Sequence, residues 1–359
     1  MDATPRQMLE IACGRTPDTC GEGFECFVDE SEDPLPEGPF SKDSLPEYAA
    51  ATAGAERAEV PLTHIRSYTK RLVAQSLVDA IWRDGHFRLN DLQIAPAWKW
   101  NPSAIGGPSA FFRSVESCCD YLDSLGVLME RYSAEEHSGN TLSATVSLSE
   151  NGGAGEENDF FDELPFRTEH PKMSDCRKCP EKATGTAEDW LVYIPFDTCA
   201  PRLGGSLLSD VTGISGGMSP AISDPDYFID CYEVVREMVE DGIITAGATV
   251  GEGGLMSALA RMLPEGTGIE AGLEGIAASY GEKDPVRIMF AEIPGVIIEI
   301  KDSDYDYLDA ELLLQDVAFY PIGHVSRSFT GIRACMDEAG GISGILRSLL
   351  SCGASEGED

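Results

Sequence analysis

The run PRLGGSL at residues 201–207 directly follows a strand-like apolar segment at 190–196 and forms the first of two glycine-rich turns. The second turn, GEGGL at residues 251–255, opens another segment with apolar residues at helical spacing. Between the turns, Asp224 and Pro225 suit the N-cap and the first position of a helix. A glycine turn lets the backbone approach a ligand closely, and a helix start offers free N–H groups to an anion. The two turns are therefore candidate sites for an anionic ligand.

Further segments stand in a fixed order on both sides of the two turns. They read VAQSLVD at 73–79, APAWKW at 95–100, a helical segment at 111–125, FAEIPGVIIE at 290–299 and a strand-like segment at 317–325. Together these pieces resemble a synthetase module of phosphoribosylformylglycinamidine synthase, also called formylglycinamide ribonucleotide amidotransferase. The resemblance covers roughly residues 64 to 326, and it is to the second, aminoimidazole-ribonucleotide-synthetase-like module of the large single-chain enzymes.

The resemblance implies an α/β (α+β) fold in two parts, and composition suggests where the parts end. We expect an acidic, Pro/Gly-rich irregular segment at 1–63, a barrel-forming N-terminal subdomain at 64–150, a loop insertion with a CxxC motif at 151–188, an α+β C-terminal subdomain at 189–326, and a helix with an acidic tail at 327–359.

The resemblance also implies a nucleotide, ATP or ADP with Mg²⁺, at the glycine turns. The candidate nucleotide-binding residues are Arg202, Gly204, Gly205, Ser206, Gly251, Gly253 and Gly254. Arg202 is the basic residue placed to neutralise a phosphate there, although a loop arginine is more often simply solvated. No residue is assigned a catalytic role.

Several charged residues that hold the metal in the family are replaced in this chain. Gln75 stands where the family's helix motif has a Glu, and Thr249 stands where its glycine-rich motif has a metal-binding Asp. Mg²⁺ prefers carboxylate oxygens, so both replacements weaken a metal site. The remaining candidate ligands are Asp79 and Glu252, with Glu135 as a third carboxylate.

Two classes of function follow from this pattern. We expect a catalytically degenerate module that acts as a structural or partner-binding half, in a homodimer or in a heteromer with another synthetase-like module. The family's modules share a barrel built from strands of their first parts, and the alternating run LSATVSL at 142–148 predicts one such strand. The alternative is an active ATP-dependent amidoligase of purine biosynthesis that uses ammonia from a separate glutaminase. A generic acidic scaffold is the third interpretation.

The net charge of −36 argues against a nucleic-acid-binding protein and against binding to an anionic membrane surface. The first residues lack the basic start and apolar core of a signal peptide, and no apolar run reaches the length of a transmembrane helix. We therefore expect a cytoplasmic protein.

The 11 cysteines suit a reducing compartment better than a disulfide framework. Cys176 and Cys179 form a single CxxC, and a structural zinc site would need a second pair of ligands. The nearby candidates are Cys199, His170 and His137, and none has matching spacing; Cys13, Cys20 and Cys26 are distant in sequence. An inert or redox-sensitive loop is the favoured interpretation of the motif. His86, His137 and His324 each lack a neighbouring nucleophile in the sequence.

Overall fold

A computed structural model describes residues 36–85, 87–129, 131–149 and 173–336. Its N-terminal part contains a small sheet with three helices. The helices are α1 (Leu45–Thr52), α2 (Ile65–Ile81) and α3 (Gly107–Leu125), and the strands are β1 (Leu92–Trp100), β2 (Leu128–Met129), β3 (Ser133–Glu136) and β4 (Thr141–Leu148). The central strand β1 pairs in parallel with β2 and then β3 along one edge, and antiparallel with β4 along the other.

Alternation along β1 explains which face of this sheet is covered. Leu92, Ile94 and Trp98 are fully buried and belong to the core cluster that also contains residues of α2 and α3. Pro96, which has no N–H to donate, lies between the residues of β1 that pair with β2 and those that pair with β3. Along this edge, β1 therefore changes its partner from β2 to β3 at a residue that cannot donate a backbone hydrogen bond.

The C-terminal part contains a six-stranded sheet with the strand order β10-β7-β9-β5-β8-β6. Its strands are β5 (Trp190–Pro195), β6 (Ile244–Val250), β7 (Gly268–Gly272), β8 (Gly295–Ile300), β9 (Tyr320–Ser326) and β10 (Gly331–Cys335). Its helices are α4 (Leu207–Thr212), α5 (Pro225–Glu240), α6 (Gly254–Met262), α7 (Glu274–Tyr280), α8 (Pro285–Phe290) and α9 (Tyr305–Leu314). All pairings are antiparallel except that of β10 with β7.

Both faces of this sheet are covered, which explains the continuous apolar runs of its central strands. Val192 and Ile194 of β5 pack into one core with residues of α2, α3 and α5. Leu191 and Tyr193, which point the other way, pack into a second core with residues of α6 and α8. The first core crosses from the small sheet to the large one, so α2 contacts both parts of the chain.

The α/β fold class predicted from the sequence is confirmed, and the predicted strand at 142–148 is β4. Asp224 caps α5 as predicted, because its carboxylate accepts a hydrogen bond from the Tyr227 N–H at 3.2 Å. Among the described residues, no helix is long and apolar enough to cross a bilayer.

Two elements lie outside the predicted pattern. Helix α1 falls in the segment predicted to be irregular, because the local sequence LPEYAAAT combines a proline in its first turn with alanines of high helix propensity. Strand β10 lies beyond residue 326, where the sequence predicted a helix and a tail, and it extends the large sheet in parallel to β7. The remainder of the predicted tail, from 337, and most of the predicted insertion, 150–172, lie outside the described residues.

Candidate functional site

The two glycine turns are joined by one buried carboxylate. Glu292, which is 1% exposed, accepts hydrogen bonds at Oε1 from the Leu207 N–H (2.6 Å) and the Gly253 N–H (3.0 Å). These N–H groups lie at the starts of α4 and α6, where helix geometry leaves backbone donors unpaired. The carboxylate therefore supplies an acceptor to one backbone donor at each turn.

Arg71 of α2 neutralises this carboxylate. Its Nη1 donates to Glu292 Oε2 at 2.6 Å, its Nη2 donates to the Gly205 carbonyl at 2.9 Å, and both side chains of the pair are 1% exposed. A buried carboxylate is tolerated only when it is paired and hydrogen-bonded, and this arrangement provides both. Arg71 thus fixes the N-terminal part of the chain to the first glycine turn.

A second arginine, Arg57 from the segment before α2, also contacts the first glycine turn. Arg57 donates to Glu252 at 2.9 Å and to the Gly205 carbonyl at 3.2 Å, and its side chain is 5% exposed. Both arginines make cation–π contacts with one aromatic ring. The guanidinium group of Arg57 lies 5.4 Å from the centre of the Tyr68 ring, and that of Arg71 lies 5.7 Å from it. Burial, reinforced by the negative charge of Glu252, raises the pKa of Tyr68 to about 12 despite the two arginines.

These contacts hold the two turns with the predicted nucleotide-binding residues close together. Most polar groups of those residues, however, form hydrogen bonds with other groups of the protein. The Gly204 N–H donates to the Met218 carbonyl, the Ser206 hydroxyl caps α4 at the Ser209 N–H, and the Gly254 N–H donates to the Gly251 carbonyl. Arg202 is exposed and forms none of the contacts at Glu292. The cations at the turns are therefore Arg57 and Arg71.

The candidate metal ligand Asp79 lies elsewhere, in a separate cavity of 420 Å³. The cavity is lined by Gln75, Asp79, Arg83, Asp175, Arg177, Glu181, Thr249, Gly251 and Arg261. The Thr249 hydroxyl donates to the Asp79 carboxylate at 2.5 Å and is itself within 2.8 Å of the Trp82 indole N–H, which donates to it. Glu252, the second candidate ligand, is paired with Arg57 instead. The structure therefore gives the two candidate ligands different partners.

Three arginines, Arg83, Arg177 and Arg261, line the cavity beside Asp79 together with Asp175 and Glu181. Arg177 donates to the Gly247 carbonyl at 2.6 Å, and Arg261 donates to the Thr249 carbonyl at 2.5 Å and to Glu181 at 2.9 Å. Desolvation by the surrounding protein raises the pKa of Asp79, and the hydrogen bond from Thr249 together with the charges of Arg261, Arg177 and Arg83 opposes that rise.

This donor set does not fit Mg²⁺. A Mg²⁺ ion needs oxygen ligands in near-octahedral geometry, whereas guanidinium groups repel a cation. Within the described ranges, no group of three or more His, Cys, Asp or Glu side chains is arranged to hold a metal ion. The side chains beside Asp79 therefore do not form a magnesium site.

The cysteine and histidine candidates that the structure describes lie outside the two glycine turns and the Asp79 cavity. Cys179 of the CxxC is buried, and burial raises the pKa of its thiol to about 12, while Cys176 is exposed. His137 Nδ1 accepts from the Gly139 N–H, and His324 packs on Trp190 with 4.0 Å between the ring centres. His86 and His170 lie outside the described residues. Burial therefore disfavours the thiolate of Cys179, the form that acts as a nucleophile.

The three residues that organise the turns, Arg57, Arg71 and Glu292, were absent from the sequence-based candidates. Arg71 and Glu292 each stand alone in an apolar segment, and lone charges in buried segments are usually paired. This pattern in the sequence could have indicated that Arg71 and Glu292 are buried and paired. Arg57 carries no such signal, because it lies in a polar segment and its burial depends on the fold.

Comparison with known proteins agrees with this architecture. Residues 186–332 match the family described as AIR synthase related protein, C-terminal domain. A probable phosphoribosylformylglycinamidine synthase, chloroplastic/mitochondrial, of Arabidopsis thaliana is 27% identical over 150 residues, which cover 42% of this chain and 10% of that protein. Phosphoribosylformylglycinamidine synthase of Drosophila melanogaster is 24% identical over 251 residues, which cover 66% of this chain and 17% of that protein. The chain thus spans less than a fifth of the length of either relative.

Among solved structures, PurLQS from Thermotoga maritima aligns with a TM-score of 0.51 at 15% identity, covering 92% of this chain and 52% of that one. At this identity the alignment supports the fold. The domain match and the curated relatives lead to one conclusion: residues 186–332 resemble the AIR synthase-related C-terminal domain, and the chain is similar to a module of phosphoribosylformylglycinamidine synthase.

Proposed function

We propose that this chain is a catalytically degenerate synthase-like module that serves as a structural or partner-binding half of an assembly. The observation that carries this proposal is the Glu292 carboxylate, which accepts hydrogen bonds from the start of both glycine turns. A nucleotide phosphate that bound these N–H groups would have to displace a buried carboxylate held by Arg71. Two anions at one pair of donors would repel each other.

The composition of the Asp79 cavity supports the same proposal. Gln75 and Thr249 supply neutral oxygens where the resemblance implies carboxylates, and the charged residues Arg83, Asp175, Arg177, Glu181 and Arg261 complete the lining. In the part of the chain that the structure describes, no three carboxylates, histidines or cysteines converge as metal ligands. The alternative function is an active amidoligase that uses ammonia from a separate glutaminase. It would require a rebuilt metal site formed by Asp79, Glu252 and Glu135. The exposure of Asp79 to the cavity is the observation that favours this alternative.

Ammonia-dependent turnover separates the two functions. With formylglycinamide ribonucleotide, Mg-ATP and ammonium chloride, we expect no formation of formylglycinamidine ribonucleotide above the rate without protein. An intact synthase assayed beside it provides the positive control. Turnover at a rate comparable to that control would establish the active amidoligase instead.

The small sheet is the part of the chain that we propose to bind a partner. One face, which includes Gln93, Ala95 and Ala97 of β1 and Ser143 and Thr145 of β4, is not fully buried. Among the described residues, strand β4 pairs with β1 only, and an unpaired strand edge is normally covered in a native assembly. The small side chains on this face would allow a second sheet to approach closely.

We therefore expect self-association through this sheet. Sedimentation equilibrium at micromolar concentration should give a mass near twice the 38.6 kDa of the chain. Thr145→Arg places a large charge on the proposed contact face and should shift the mass to that of the monomer, whereas Arg202→Gln, on an exposed loop, should not. A native chain that sediments as a monomer would contradict a homodimer.

A further inference from the structure

Helix α9 is apolar on two faces, and the described part of the chain covers only one of them. Leu308 and Leu312, four residues apart, are buried in the first core. The opposite face, which we call the outer face of α9, consists of the exposed residues Tyr307, Ala310, Leu313 and Leu314. Its two leucines are 66% and 77% exposed. A helix that is apolar all round is normally buried all round, so the outer face is expected to be covered by another element.

Acidic residues border the outer face of α9. The negative charge of Glu311, together with slight desolvation and the charges of Asp241 and Glu237 at the end of α5, raises the pKa of Tyr307. Asp306 is exposed on the same side of the helix. A second copy of the chain would bring the same acidic border against this one, and the two would repel each other. An apolar occupant with no acidic residues fits this face better.

One stretch of the chain itself has that composition. It reads GISGILRSLL at 341–350 and lies outside the described residues. Its apolar residues recur at i, i+3, i+4, i+7 and i+8, which predicts a helix with one apolar face made of Ile342, Ile345, Leu346, Leu349 and Leu350. So short a helix is marginal in water by itself, and its stability has to come from packing its apolar face on a partner surface.

The charge of this stretch is complementary to the border of the outer face. Arg347 is the only charged residue between Glu338 and Glu356, although the whole chain has a net charge of −36. In a helix, Arg347 would lie at the flank of the apolar face, three residues before Leu350. An arginine in that place can approach the acidic border while the leucines contact the outer face of α9.

The end of β10 places this stretch within reach of α9. Cys335, the last residue of β10, pairs with Gly272 of β7, and a Cβ added at Gly272 would lie 3.9 Å from the carbonyl oxygen of Ile322 in β9. The end of β10 and the beginning of β9 therefore lie at the same end of the sheet, about 10 Å apart at the usual strand spacing. Strand β9 follows α9 after the link 315–319. In an extended chain, residues 336–341 span about 20 Å, which is about twice that separation.

We propose that residues 342–350 form an amphipathic helix that packs on the outer face of α9 of the same chain. Leu313 and Leu314 would be buried in this contact, and Arg347 would lie beside the acidic border. The proposal goes beyond the proposed function, because it involves neither the glycine turns nor the small sheet.

Hydrogen exchange of the full chain, measured by mass spectrometry of its peptides, tests this contact. We expect the amides of 342–350 to exchange about tenfold or more slowly than those of an unstructured chain, and equally at about 1 and about 50 μM protein, because the contact lies within one chain. Leu314→Asp changes only α9 and should remove this protection from 342–350. Gln315→Asp, which places the same side chain at the next exposed position, should leave it unchanged.

A second matched pair of variants tests the other side of the contact. Leu349→Asp, on the predicted apolar face, should abolish the protection of 342–350, whereas Ser348→Asp, on the predicted polar face, should retain it. Circular dichroism verifies that the variants are folded, and Leu314→Ser replaces Leu314→Asp if the latter is not.

Three results would overturn the proposal. The first is exchange of 342–350 in the native chain at the rate of an unstructured chain. The second is protection that persists when Leu314 is replaced, because the segment would then pack on some other surface. The third is protection that appears only as the protein concentration rises, because the outer face would then be covered by a second copy.

Discussion

Replacing Glu292 with alanine should destabilise the protein by about 3–5 kcal/mol, the usual cost of breaking a buried ion pair by removing one partner. The substitution leaves the Arg71 guanidinium buried without its carboxylate and leaves the Leu207 and Gly253 N–H groups without an acceptor. Both glycine turns and α2 meet at this carboxylate, so one substitution weakens three elements. Urea unfolding followed by circular dichroism measures the effect.

Two further variants separate charge from hydrogen bonding at this position. Glu292→Gln keeps an oxygen acceptor for the two N–H groups but loses the charge that balances Arg71, so it should cost less than Glu292→Ala. Glu181→Ala breaks a pair whose side chains are 40% and 39% exposed, and it should change stability by less than about 1 kcal/mol. A Glu292→Ala variant as stable as Glu181→Ala would show that the buried pair does not hold the turns together.

Replacing Gly254 with alanine should cost about 3 kcal/mol or more, from backbone strain together with overpacking. Gly254 has φ +64°, and an added Cβ would lie 2.7 Å from the Ala291 carbonyl oxygen and 2.8 Å from the Met289 carbonyl oxygen. Both neighbours are backbone atoms beside Glu292, so neither can rotate away. Thermal unfolding should show a large fall in Tm.

Gly281 is a matched control, because it has nearly the same φ of +62° but no atom within 4 Å of an added Cβ. Gly281→Ala should therefore cost only the conformational strain, about 1–2 kcal/mol. The difference between the two variants isolates the close packing of the second turn on the 289–291 segment. Equal losses of stability would mean that this close packing contributes nothing.

The sequence allowed prediction of the elements whose signals are local. The helix from Asp224 follows from its N-cap, its proline and its apolar spacing, and β4 follows from strict alternation. By contrast, β10 is a five-residue strand that is stabilised by parallel pairing with β7, a partner distant in sequence, and nothing local indicates that pairing.

The candidate site was harder to predict, because the pattern of glycines and charges in a sequence does not identify the acceptor of each backbone N–H group. The motif around Gly204 and Gly253 is compatible with a phosphate and equally with an internal carboxylate. Only the fold brings Glu292, which follows α8, to the starts of α4 and α6. In the same way, the burial of Arg57 results from the path of the segment before α2, which composition alone described as irregular.

The central claim is that the glycine turns are bound internally and no longer hold a magnesium nucleotide. Titration calorimetry of the native chain with Mg-ATP and Mg-ADP tests it most directly, because the heat of binding reports a nucleotide at the turns whether or not it reacts. We predict no saturable heat of binding with either nucleotide. Magnesium-dependent binding of ATP at micromolar affinity would contradict the account.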